Sequence, residues 1–186
     1  MRVAVAVVSV LALAAASPAA AQQAVETAPA KFTMSKEYRA VQQAALATQR
    51  KLMLSFADSM PERLYRDRAT PPQRSFADQV FHIVSANQFI AARFIGGPAP
   101  ARPDTAALLN SRAGLKKYIT DTFDSLDKLL ADQPDADRDV QVKFFGNFIP
   151  RWQVLDELNQ HTMWTAGQVV ANFRKNGMAP PAFLFF

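Results

Sequence analysis

The sequence predicts an all-α protein built as a four-helix bundle. Three observations carry this: four stretches place apolar residues at 3,4 spacing, Pro- and Gly-rich segments separate them, and no stretch shows period-2 alternation. The first helix is predicted to start after Ser35, its N-cap, and to run to about Ser59. Tyr38, Val41, Ala45, Thr48 and Leu52 form its buried stripe, and Met60-Pro61 ends it. The crossover PERLYRDRATPPQR carries Pro71 and Pro72. The second helix is predicted over about Ser75–Phe94, with Phe76, Val80, Ile83, Asn87, Ile90 and Phe94 at heptad spacing and Phe81 and Val84 widening the face. Gly96-Gly97-Pro98 stops it.

Asp104 or Thr105 caps the predicted third helix, whose seam is Leu108, Leu115, Ile119, Phe123, Leu126 and Leu129 or Leu130. Gln133-Pro134-Asp135 closes it. A loop through Asp139 is expected to rise into a short helix holding Phe144, Phe145 and Phe148. The fourth helix follows, with Pro150 near its first turn. Asn176-Gly177 is its C-cap signal, and Pro180-Pro181 lie just beyond.

Residues 1–21 read as a secretory signal peptide: Arg2 is the positive start, Val3–Ala16 the apolar run, and Ala19-Ala20-Ala21 the small-residue cleavage pattern. Residues 22–34 lack periodicity and read as a flexible mature N-terminus; 35–186 is the folded domain. The predicted location is the periplasm or outside the cell. No later stretch is long and apolar enough to cross a membrane. With no cysteine, disulfides, a lipoprotein anchor, thiolate metal sites and thiol nucleophiles are excluded. The formal charge of +5 falls to +4 once Arg2 is removed, and the basic residues are scattered, so no nucleic-acid surface is expected.

Polar residues on inward stripes need partners. His82 lies on a flank of the second helix with Gln79, Ala86 and Phe89. His161 lies on the fourth-helix stripe Val154, Leu158, His161, Thr165, Val169. They are the only histidines in the chain, and imidazoles from two helices can converge on one divalent ion across a bundle. A histidine on an apolar helical face is more often hydrogen-bonded in the core or turned to solvent. Two histidines also fall short of a stable zinc site, which needs a third protein ligand. Thr165, one turn after His161, offers only a neutral hydroxyl; Glu157, one turn before it, is a better donor. Trp152, Trp164 and the Phe-rich 144–148 segment are assigned to the core rather than to a ligand pocket.

The segments MPERLYRDRATPPQRS (60–75) and FADQVFHIVSANQF (76–89), with HTMWTAGQVVANFRKNGMAPP (161–181), resemble the DinB-like family across most of residues 36–182. The matches in the last segment are His161, Gly167, Gln168, Arg174, Gly177, Pro180 and Pro181. The resemblance implies a four-helix bundle with a three-histidine site for Zn²⁺, Ni²⁺ or a similar ion. It also implies kinship with metal-dependent transferases and isomerases of low-molecular-weight thiols. His82 matches the first ligand and His161 the second; the third position, two residues before the family glycine, is Thr165. Glu157 or Gln168 would be the substitute ligand. Arg174 is assigned a structural role at the C-terminal end of the helix dipole.

The expected function is therefore that of an exported DinB-like bundle with a degenerate metal site and a binding or structural role. The alternative is a divalent-metal-dependent hydrolase or transferase using His82 and His161 with a substitute third ligand. The apolar end Ala182–Phe186 is expected to cover a groove of the bundle or to pack on a second subunit in a homodimer.

Overall fold

The crossover between the first two helices shows how this sequence closes its bundle. In the computed structural model, which describes residues 36–100, 103–134 and 139–182, α1 (Lys36–Ser59) ends where Pro61 cannot donate a backbone N–H. That leaves the Ala57 carbonyl, four residues earlier and fully buried, without its helical donor. The Tyr65 hydroxyl supplies one at 2.7 Å from the far end of a 3-10 turn, Glu62–Leu64. Tyr65 also packs its ring on Phe76 at 5.2 Å, and its carbonyl accepts from Ala77 N–H at 2.9 Å. Phe76 in turn meets Phe173 edge-on at 5.8 Å, and Phe173 meets Phe56 at 5.8 Å. One aromatic stack thus joins the crossover to three helices. Outside it, Asp67 accepts from Lys175 Nζ at 2.7 Å and from Asn176 Nδ2 at 2.9 Å, and these bonds hold its carboxyl below the usual carboxylate range.

Helix α2 (Phe76–Ile90) starts at Ser75, whose hydroxyl accepts from Asp78 N–H at 3.3 Å. It runs on into a single π turn, Ala91–Ile95, in which Gly96 N–H reaches the Ala91 carbonyl. Gly96 then reverses the chain at φ +101°, and Gly97 passes so close to Leu129 that a Cβ there would lie 2.9 Å from its Cδ2. Helix α5 (Gln153–Lys175) closes as its Asn-Gly signal predicts: Gly177 has φ +68°, and Met178 N–H returns to the Phe173 carbonyl at 2.9 Å. Among the long helices, α1 packs chiefly on α4 (Arg112–Asp132), and α2 packs chiefly on α5. The core between them includes Met53, Phe56, Val80, Ile83, Leu115, Ile119, Phe123, Val154, Leu158 and Phe173.

Several expectations need correction. The third helix is two: α3 (Thr105–Leu109), capped by Asp104, and α4, capped by the Ser111 hydroxyl accepting from Gly114 N–H at 3.1 Å. A continuous helix would place Ser111 and Gly114, both poor interior residues, in its middle, and the break instead uses serine as a cap. The Phe-rich segment is not a helix but a hairpin, β1 (Gln141–Phe144) antiparallel to β2 (Asn147–Pro150). Val142, Phe144 and Ile149 pack inward from it. Pro150 ends the second strand rather than opening the helix.

The α1 stripe is also rotated from the predicted one. Val41 is 57% exposed, whereas Gln42 and Gln49 are buried, because α1 turns amide side chains toward α2 and α5. The expected N-cap Ser35, the signal peptide, residues 22–34 and the end Phe183–Phe186 lie outside the described residues.

Two outcomes follow from these contacts. Tyr65→Phe removes the hydroxyl that donates to the buried Ala57 carbonyl and should cost about 2 kcal/mol, read from denaturant unfolding. Phe145 holds φ +44° at the hairpin turn, where a side chain is strained by about 1–2 kcal/mol. Its rings contacts with Phe94 and Phe144 offset a comparable amount. Phe145→Asn should therefore leave the thermal midpoint within about 4 °C of wild type.

Candidate functional site

The two histidines come together. His82 projects from α2 and His161 from α5, with ring centroids 5.3 Å apart and ring planes 75° from parallel. Both are half-buried. Burial is the main cause that holds each imidazole below its ordinary pKa, and the positive charge of Arg74, just before α2, acts in the same direction. For His82 the neighbouring His161 ring adds a further, smaller push. Both rings are therefore held in the neutral form, the form that offers a lone pair to a ligand. The Nδ1 atom of His161 is buried and has no hydrogen-bond partner.

The surrounding polar residues form a seam along α1, α2 and α5. The Asn87 amide donates to the Thr162 hydroxyl at 2.8 Å and to Gln49 Oε1 at 3.3 Å, and Gln49 donates onward to Asn159 at 3.2 Å. Nearer the start of α1, the Tyr38 hydroxyl and the Gln42 amide both donate to Asp156, each at 2.6 Å. Toward the other end of α5, Gln79 donates to the Gln168 side chain at 3.4 Å, and Gln73 donates to the Gln168 carbonyl at 2.9 Å. Gln168 is thus engaged by two glutamines of the α2 side. Thr165 is only 3% exposed, on the same helix as His161 and one turn further on. Among the described residues, no three His, Cys, Asp or Glu side chains gather where they would hold a metal ion.

Beside the histidines the bundle opens. Ile90, Phe144, Phe145, Glu157, Gln160, His161 and Trp164 line an open groove of about 380 Å³. The aromatic residues assigned to the core from sequence lie largely outside it: Trp164 is 79% exposed, Phe145 67% and Phe148 70%. The hairpin carries two of them outward, and Trp164 sits on the outer face of α5. Trp152 does pack against the core, edge-on to Tyr38 at 5.6 Å. Sequence reasoning missed Arg74 and the amide seam. Asn87 carried the signal for the seam, as an amide on an otherwise apolar heptad stripe.

The comparisons with known proteins agree with this architecture. A crystal structure of a DinB-like protein from Bacillus cereus ATCC 10987 superposes with a TM-score of 0.69, covering 82% of this chain and 100% of that one. The two share 16% sequence identity, so the likeness is one of fold. No curated protein matches the chain. The family model of the DinB superfamily matches residues 45–175, which takes in α2, α3, α4, α5 and most of α1. The chain belongs to the DinB superfamily.

Proposed function

We propose that this chain is an exported DinB-superfamily bundle that has lost the metal chemistry of its relatives and keeps the histidine face for binding. One observation carries the reading. His82 and His161 stand 5.3 Å apart, but the residue in the third ligand position is the buried Thr165. Two neutral imidazoles and a hydroxyl do not fit a tightly held ion, because a stable zinc site needs a third imidazole, carboxylate or thiolate. Glu157 lies one turn before His161 but lines the groove. Export is supported by the signal-like residues 1–21.

Elemental analysis of protein purified without a metal-affinity tag tests this. Wild type should carry Zn, Ni, Fe and Mn well below one equivalent. Thr165→His should raise Zn²⁺ affinity by roughly 100-fold, the order by which one ligand matters. Because a larger side chain in a packed site strains the core, that variant is to be checked for an intact thermal transition. Near-stoichiometric metal in wild type, lost in both His82→Ala and His161→Ala, would overturn the proposal in favour of a metal-dependent hydrolase or transferase.

The histidine pair also sets a pH dependence. Both imidazoles titrate lower in the folded state than in the unfolded chain, so the unfolded state binds more protons between those pKa values. Their stabilising contribution is complete above about pH 6.5 and is lost as pH falls from there through the folded pKa values. The thermal midpoint should drop between pH 7 and pH 5, and a His82→Gln, His161→Gln double variant should flatten that slope.

A further inference from the structure

The groove next to the histidine pair has a composition of its own. One wall is aromatic: Phe144 and Phe145 meet at 4.8 Å, and Phe94 packs on them at 4.8 Å and 5.3 Å. Trp164, which is largely exposed, lines the same groove from α5. Ile90 contributes apolar floor, and Glu157 and Gln160 stand in the same lining. Glu157 makes no ion pair or hydrogen bond with another side chain among the described residues, unlike Asp156 beside it, which takes Tyr38 and Gln42.

Two of these features place aromatic surface outside the core. Phe145 occupies a left-handed position of a two-residue turn, with Gly146 at φ +109° beside it, where Asn or Gly would suit the backbone better. Trp164, 79% exposed, lines the same open groove and adds apolar surface that the core does not use.

We propose that this groove binds a small free organic cation of the quaternary or methylated ammonium class. Aromatic faces carry negative quadrupole potential and attract cations, tryptophan most strongly, and a quaternary ammonium has no N–H groups that need acceptors. A neutral ligand of the same shape would partly desolvate the Glu157 carboxylate without pairing it, whereas a cation offsets that cost. A primary ammonium is more strongly hydrated and gives up more water on entering the groove. The chain is net basic at +5, so the attraction has to be local, from Glu157 and the rings. A volume of about 380 Å³ suits a ligand of this size. The assignment deepens the binding role proposed above and rests on it. The two fail separately, because metal content reads the histidine pair and ligand titration reads the groove.

Ligand-observed NMR on the purified protein, with choline and its uncharged isostere 3,3-dimethylbutan-1-ol, tests the proposal. Choline should bind roughly tenfold more tightly than the alcohol, from an exposed cation–π contact and the Glu157 charge together. Glu157→Gln should weaken choline by roughly threefold and leave the alcohol unchanged. Trp164→Ala should abolish saturable binding, and Phe145→Asn should weaken it while the thermal midpoint stays in place. Equal affinity for the two probes, no effect of Glu157→Gln, or no saturable binding up to about 50 mM choline would overturn the proposal. Co-sedimentation with phosphatidylcholine vesicles would overturn the free cation in favour of a lipid headgroup.

Discussion

The Asn87 amide donating to the Thr162 hydroxyl, buried between α2 and α5, sets the rotation of the two helices on which the rest of this side of the bundle depends. An apolar seam tolerates small rotations and slips, because one methyl contact replaces another. A buried amide does not, since a displaced Asn87 would leave a desolvated donor costing about 1–3 kcal/mol. Gln49 extends the constraint to α1 and Asn159. His161 precedes Thr162 directly and His82 lies on the same helix as Asn87, so fixing these rotations also brings the imidazoles face to edge. The aromatic stack of Phe56, Phe76 and Phe173 clamps the other end of the same interface.

That rigidity holds the histidine pair in place. Two helices in register bring the two imidazoles together, and Thr165 follows His161 by one turn on α5. Thr165 is buried, so its side chain belongs to the packed interior. On the proposed reading, chemistry was given up while packing was retained.

The hairpin acts on the groove from outside the bundle. Its inward residues, Val142, Phe144 and Ile149, dock on the core, and this docking carries Phe145 and Phe148 outward. Left-handed strain at Phe145 and its ring contacts nearly cancel, so the turn is held by tertiary packing rather than by local preference. The groove is thus assembled from α2, the hairpin and α5, and none of them forms it alone.

Helix existence and punctuation were legible in the sequence because they depend on local physics. Asp104 as a cap, Gly96 as a stop and Asn176-Gly177 as a terminus each act within a few residues. The two histidines and Thr165 were legible as candidates for the same reason, through their spacing on helices. The break at Ser111 was written locally too, but a continuous leucine seam across it outweighed the cap signal. The hairpin was not legible: its strands are four residues long, and the turn has Phe-Gly where Asn-Gly would announce it. Only the tertiary structure decided that Val41 faces solvent while Gln42 and Gln49 face inward, because amide partners on other helices outweigh the hydropathy of one side chain. It likewise decided that Trp164 stands outside the core and that His82 meets His161. Both depend on helix rotation about its own axis, a quantity set by contacts between segments distant in the chain.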